Sequence, residues 1–508
     1  MDINRYKSFS IFNRDKSWVE TCDFVEKNID GLSTIQEALN KKHINDNRLS
    51  SDIVMYEIMT WYSNQPYKDK VLKNNYFKWS LIYVFVFFSF FIIGIISLIL
   101  SFFEKKVHYS LLLEDVRTQH DWYKRFYTYV VKNLNDDVLR KTTMLLTMNG
   151  LFDKNFFIKK VDLWNGAVKN YKYKNILFSY KQVFKIMYLD FFYIYKLYRL
   201  SKKLNINYIY IYLRILRKLL TYTSQVENIT ADVLISAGDY YWSPMKYYCY
   251  NEKVDNIMLI QHNFKYGLIN CIFQYCDIYF AHSDDAISKT EGSEVSKKMS
   301  IGSLQLSPFL SENVKIEYDI LFINQTVNDN LTKATPNLDQ DKLIKEHWRL
   351  IDNFQEYMKK NKQKRAIVIA KPGYEKKLPF SQIKEEFLNI KNIEFGSAYG
   401  PETFELIKKS KIVINMYSSA GFEAYGLNKK VLWVNYNGCC DVFQYVLDEG
   451  IHHLKDTNYD SFEERLRILF SAESNQKYKA LKEKYMNIQM DPAKVIADTI
   501  ESNIKKIC

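Results

Sequence analysis

The sequence predicts an α/β protein with two Rossmann-like domains in tandem, preceded by a helical segment and one long apolar helix. Three observations predict it: short β-branched runs alternating with amphipathic stretches over residues 230 to 470, a break in that alternation between Ser303 and Tyr318, and the uncharged stretch Trp79 to Phe103. Strands that alternate with helices form a parallel sheet, and ligands of such sheets sit at the carboxyl ends of the strands. At 508 residues the chain is too long for one ordinary core.

Composition narrows the function class. Hydrophobic residues make up 47% of the chain and there are only 8 prolines, which argues against disorder. The formal charge of +13 fits an anionic partner. No zinc spacing or nucleic-acid module accompanies that charge, so an anionic membrane surface is the expected partner and nucleic acid is not. The seven cysteines (22, 249, 271, 276, 439, 440 and 508) are odd in number and lack paired C-x-x-C spacing, so they read as reduced thiols. No G-x-x-x-x-G-K-[ST] loop and no nucleophile elbow occurs, which disfavours ATPase and hydrolase chemistry.

In chain order, residues 1–78 read as a polar helical segment, with apolar spacing in Trp18 to Val25 and Ile53 to Tyr62. Residues 79–103 follow as a transmembrane helix, because the run from Leu81 to Leu100 is long enough to span a bilayer and lies too far from Met1 to be a cleaved signal. Residues 104–310 form the first Rossmann-like domain. Its opening stretch, Tyr109 to Asn149, reads as helical from the spacing of Trp122, Phe126, Tyr129 and Val130. From Phe178 to Tyr222 the chain is basic and aromatic, either a face for an anionic membrane or a domain surface with buried rings. Strands follow at Asp232–Ser236, Asn256–Ile260 and Cys276–Ala281.

Residues 318–480 form the second Rossmann-like domain, with strands Tyr318–Ile323 and Ala366–Ala370, a helix from about Asp341 to Lys360, and a C-terminal helix over 481–508. Its focus is Ser410 to Gly426, a strand, a tight turn of small residues and a helix, followed by the apolar run Val431 to Tyr436. Ser418 and Ser419 are N-cap types, and a helix N-terminus with small residues lets an anion approach backbone N–H groups. Asp339-Gln-Asp341 is the one D-x-D and reads as the acidic first turn of a helix, so no metal is expected.

The order of these motifs, a strand ending in Gln261-His262, the strand Cys276-Asp-Ile-Tyr-Phe-Ala281 with His282-Ser283, a Gly302-Ser303 turn, a strand ending in Lys371-Pro372, and the Ser418-Ser419-x-Gly421-x-Glu423 helix, resembles bacterial surface-carbohydrate glycosyltransferases of the two-Rossmann GT-B kind. Those relatives are enzymes of capsule, lipopolysaccharide and polysialic-acid synthesis, together with teichoic-acid polyol-phosphate polymerases. The resemblance covers about residues 230 to 470 and departs from the family at Asn263 and Gly373, where a glycine and a histidine are usual. It implies a membrane-anchored enzyme moving a sugar from a nucleotide-sugar donor to a lipid-linked or oligosaccharide acceptor, without a cofactor. The implied location is the bacterial inner membrane, crossed once with the catalytic part cytoplasmic. The flanking lysines are balanced, so that orientation rests on where such donors are found.

Such chemistry requires a base for the acceptor hydroxyl and positive charge or N–H donors for the leaving phosphate. His262 is the candidate base. Lys371 and the N–H groups of Ser418, Ser419 and Gly421 are candidates for the diphosphate, and Asn324, Gln325 and Thr326 for lining the cleft. Glu423 is placed to accept from donor hydroxyls. Structural roles stand beside each: a hydrogen-bonded histidine, a surface lysine, a helix cap or ion pair. The alternatives are a CDP-polyol phosphotransferase of the teichoic-acid type, a non-catalytic GT-B-like scaffold of a polysaccharide assembly complex, and a nucleotide-sugar epimerase.

Overall fold

The computed structural model describes residues 1–9, 16–62, 70–72, 75–101, 106–115, 126–146, 170–171, 179–239, 242–262, 273–288, 290, 294–311, 314–324, 339–370, 387, 390–398, 400–440, 450–471 and 475–505. The N-terminal helices are α1 (Ile3–Lys7), α2 (Lys16–Lys27), α3 (Ile29–Leu39) and α4 (Asn47–Tyr62), and α5 (Tyr76–Ser101) follows them. The first sheet begins at β1 (Val107–Asp115), followed by α6 (Thr128–Val131), α7 (Asp136–Arg140), β2 (Thr142–Leu146) and β3 (Asn170–Tyr171). Two long helices, α8 (Tyr180–Leu204) and α9 (Tyr208–Val226), lead into β4 (Ile229–Ser236), α10 (Pro244–Asn251), β5 (Val254–Ile260), β6 (Tyr275–Ala281), α11 (Asp284–Ser288) and β7 (Glu294–Ser300).

These strands form a parallel sheet in the order β3-β2-β1-β4-β5-β6-β7. The sequence reading missed β1, the neighbour of the central strand β4, together with β2, β3 and β7. In β1, Tyr109 to Leu113 is buried on both faces, and helical spacing in the neighbouring aromatics disguised it as helix. Alternate side chains of the sheet face two separate cores. Leu112, Leu234 and Ala231 join the N-terminal helices, whereas Leu111, Leu113, Val233 and Ile235 face the C-terminal helix.

The helices of residues 1–78 share one apolar cluster with the first sheet, running from Tyr6 and Trp18 through Leu220 to Tyr275 and Tyr279. A buried carboxylate pins that union. Asp52, fully buried, accepts two hydrogen bonds from Arg5 (2.9 and 3.0 Å), one from the Tyr6 hydroxyl (2.7 Å) and one from the hydroxyl of Tyr275 on β6. A second carboxylate, Glu57 of α4, pairs with Arg214 and Lys218 of α9.

The predicted span over 79–103 is helical as α5, but no helix among the described residues is long and apolar enough to cross a membrane. One side of α5 is packed on protein. Gly94 lies against Val183 of α8, the Phe91 and Phe184 rings meet edge to face at 6.3 Å, and Trp79 meets Tyr210 of α9 at 4.5 Å.

The second sheet holds β8 (Tyr318–Ile323), β9 (Ala366–Ala370), β10 (Ile393–Ser397), β11 (Ser410–Asn415), β12 (Lys430–Val434) and β13 (His453–Leu454), all parallel, in the order β10-β9-β8-β11-β12-β13. Its helices are α12 (Gln340–Lys360), α13 (Pro401–Lys408), α14 (Ala420–Gly426), α15 (Tyr459–Phe470) and α16 (Asn475–Tyr485). Asp339 caps α12 by accepting from the Lys342 N–H at 2.9 Å, the role expected of the D-x-D. After Tyr485 the chain returns to the first domain. There α17 (Pro492–Asn503) buries Ala493, Ile496, Ala497 and Ile500 against Val233 and Ile235. The α/β two-sheet architecture expected from the sequence is therefore present.

Candidate functional site

In a parallel sheet every strand's carboxyl end lies on one edge, so the residues after the strands gather there. On the first sheet these are Asp239 after β4, Gln261 and His262 after β5, and His282 after β6. They are wired together. Gln261 donates its N–H to the Phe280 carbonyl (2.9 Å), and its Oε1 accepts from the His282 N–H (2.8 Å). Asp239, fully buried, accepts from the His262 N–H (3.3 Å) and from the Tyr279 hydroxyl (3.2 Å). The His262 ring is half-buried, 5.0 Å from Phe126. Beneath this edge Glu114 and Lys246 form a fully buried ion pair, with the ammonium 4.7 Å from the Trp242 ring centre and the Tyr127 hydroxyl donating to the Glu114 carbonyl.

On the second sheet, Asn324 follows β8 and is 3% exposed. Its Oδ1 lies 2.7 Å from His347 Nε2 on α12, while its Nδ2 has no hydrogen-bond partner among the described residues. Burial depresses the His347 pKa to about 4, so the imidazole is neutral and its Nε2–H donates to that amide oxygen. Next to it Glu346 accepts from Asn437 Nδ2 (3.0 Å) and pairs with Arg349 (3.3 Å). After β12, Asn435 Oδ1 accepts the Cys440 N–H at 2.7 Å.

The Ser418–Glu423 turn follows β11. Asn415 holds it from below, with Nδ2 donating to the Ser418 carbonyl (2.8 Å) and Oδ1 accepting the Ser418 N–H (3.0 Å). Ala420 N–H donates to Ser418 Oγ at 3.3 Å, and Gly421 N–H to the Ser418 carbonyl at 3.1 Å. Ser419 occupies the N-cap position without a side-chain cap bond. Two of the N–H groups expected to cradle a phosphate, those of Ser418 and Gly421, are thus engaged inside the turn. Gly421 is required for packing, because a Cβ there would meet Asn415 Nδ2 and lie 2.7 Å from the Trp433 ring. Glu423 sits in the same helix at 4% exposure. Gln325, Thr326 and Lys371 lie outside the described residues.

The returning chain touches both domains. Asn487 N–H donates to the His282 carbonyl (2.9 Å), and Met486 Sδ lies 3.2 Å from the Ser303 N–H. Ile488 packs at once on Gly302, beyond β7, and on Gly426, at the end of α14. Gly302 has φ +81° and no room for a side chain, which explains glycine there. Among the described residues there is no group of three or more His, Cys, Asp or Glu able to hold a metal ion.

No protein-family model matches the chain, and no curated protein is significantly similar to it. Among solved structures the chain has distant similarities. The UDP-GlcNAc 2-epimerase of Methanocaldococcus jannaschii, determined with UDP-GlcNAc and UDP, is 13% identical over 78% of this chain and 100% of its own, with a TM-score of 0.40. The UDP-GlcNAc 2-epimerase of Neisseria meningitidis is 12% identical over 78% and 100%, with a TM-score of 0.42. A glycosyltransferase of Rickettsia africae is 11% identical over 78% and 94%, with a TM-score of 0.36. Likeness at this level says nothing about substrate.

Sequence reasoning missed Asp239, His282, Glu346 and His347. For the last two a signal existed: Leu343, Leu350, Ile351 and Phe354 mark the buried stripe of α12, and positions 346 and 347 fall three and four residues beyond Leu343, on that stripe.

Proposed function

We propose that this chain is a GT-B-type glycosyltransferase that moves a sugar from a nucleotide-sugar donor to a lipid-linked or growing bacterial surface glycan at the membrane. The observation that carries the reading is that each parallel sheet gathers polar groups at its carboxyl edge, half-buried His262 on the first and the buried Asn324 amide on the second, in domains tied together by Met486 to Ile488. Two parallel sheets with apposed carboxyl edges make a cleft in which donor and acceptor bind on opposite walls.

In this mechanism His262 takes the proton of the acceptor hydroxyl as that oxygen attacks the anomeric carbon, and the nucleoside diphosphate leaves. Asn324 Nδ2 donates to the donor and Glu423 accepts from its hydroxyls; Lys371 is the side chain assigned to the diphosphate, and Gln325 and Thr326 are assigned to the cleft lining. No metal is used. A CDP-polyol phosphotransferase would use the same cleft, and only that enzyme would add phosphorus to the acceptor. An epimerase would release a rearranged nucleotide sugar with no acceptor present.

The internal bonding of the Ser418–Gly421 turn favours a second reading, a scaffold that keeps the fold without the chemistry. A thermal-shift screen of the full chain against UDP, GDP, CDP, CMP and dTDP separates the two. Stabilisation by one nucleotide, reduced in Asn324→Ala and Glu423→Ala, is the transferase outcome. A folded protein that responds to none of them is the scaffold.

A further inference from the structure

The described residues contain 15 exposed large hydrophobic side chains, and 10 of them lie on α5. Phe77, Leu81, Phe85, Phe88, Ile92 and Ile99 recur at spacings of three, four and seven, so they form one stripe, roughly 33 Å long at 1.5 Å per residue. Phe85 is 73% exposed, as no side chain in a protein core is. A continuous apolar stripe of this length marks an interaction surface.

What covers it follows from the neighbouring helix. On α8, Lys181, Lys185, Tyr188, Tyr195, Arg199 and Lys202 are exposed, and their spacings of four, three, seven, four and three place them on one face. Tyr188 is 81% exposed. An apolar helix beside a basic, tyrosine-bearing one matches the boundary between lipid tails and anionic headgroups. A second copy of this chain would face the cations of α8 with the same cations.

The same geometry excludes a crossing. α5 is held along α8 and α9 through Gly94, Phe91 and Trp79, so it cannot enter the hydrocarbon without α8. The exposed cations of α8 bar that helix from the bilayer centre. Peeling α5 away instead would uncover Val183, which is fully buried.

We infer that α5 and α8 form an in-plane docking surface for an anionic lipid bilayer, with the outer stripe of α5 sunk into the headgroup and acyl boundary and the basic face of α8 on the lipid phosphates. This deepens the membrane half of the reading above and is independent of its donor chemistry.

The test uses the purified full chain and flotation with phosphatidylcholine vesicles, with and without phosphatidylglycerol. The chain floats with the anionic vesicles, and Phe85→Glu with Ile92→Glu lowers the bound fraction tenfold or more while leaving the thermal melt and any nucleotide shift unchanged. Lys185→Glu with Arg199→Glu lowers binding and removes its salt dependence. Single cysteines at Asn75 and Lys106, two exposed positions flanking α5, are labelled by an impermeant maleimide from the same side of the vesicle. Labelling from opposite sides would overturn the proposal in favour of a span. Absence of vesicle binding would also overturn it, and a concentration-dependent dimer abolished by the α5 double variant would then name a second copy as the occupant.

Discussion

Acid should loosen the second domain through one histidine. His347 is 2% exposed and bonded to Asn324, and burial lowers its pKa from 6.5 to about 4. The folded protein therefore holds this proton less well than the unfolded chain does. The histidine's contribution is fully present above pH 6.5 and is lost as pH falls from there toward 4. At 1.36 kcal/mol per pKa unit the whole window amounts to about 3 kcal/mol, and at pH 5 the loss is about 2 kcal/mol, a roughly 30-fold rise in the open population. His347→Gln keeps an N–H able to donate to Asn324 Oδ1 and removes the titration. Hydrogen exchange of peptides covering β8 and α12, corrected for intrinsic rates, should show that loss of protection between pH 7 and 5 in the wild type and little of it in His347→Gln. Equal losses in both proteins would refute the assignment of the acid window to this residue.

Other outcomes follow from buried groups. Lys246→Met leaves the Glu114 carboxylate buried without its ammonium and should destabilise the first domain by about 3–5 kcal/mol, read as a drop in thermal midpoint that Glu114→Gln in the same chain partly restores. Asp52→Ala strips Arg5, Tyr6 and Tyr275 of a common acceptor; the loss should be about 3–5 kcal/mol, and limited proteolysis should then cut within residues 1–62 first. Gly421→Ala forces a methyl into Asn415 and Trp433 and should cost about 1–3 kcal/mol, with blue-shifted or broadened tryptophan emission as the local reporter; an unchanged melt would show that the turn can move aside.

Much of the architecture was legible because apolar runs and helix periods differ in length. The strands Asp232–Ser236, Asn256–Ile260, Cys276–Ala281, Tyr318–Ile323 and Ala366–Ala370 were each found within three residues of their observed bounds. β1, the inner strand beside β4, was not. A strand buried on both faces carries no alternation, and Tyr109 to Leu113 sits just before aromatics at helical spacing. The apolar length of α5 was visible, but its packed face was not, because hydropathy counts side chains and cannot register a neighbour such as Val183, more than 80 residues later in sequence. His262, Asn324 and Glu423 were singled out in the sequence from their expected places after strands or in the turn, and those places are as expected. Their partners Asp239, His282 and His347 depend on which strand ends become neighbours, a property of sheet order.

The two domains are joined twice. The chain leaves the first domain through Ser303 to Phe309 and comes back through Met486 to Asp491, and these passages touch: Met486 Sδ lies against the Ser303 N–H, and Ala493 N–H donates to Ser307 Oγ at 3.0 Å. Two tethers side by side restrict how far one domain can turn over the other. Ile488 is packed on both Gly302 and Gly426, so a side chain added at either glycine would act as a wedge driven into the join between the domains.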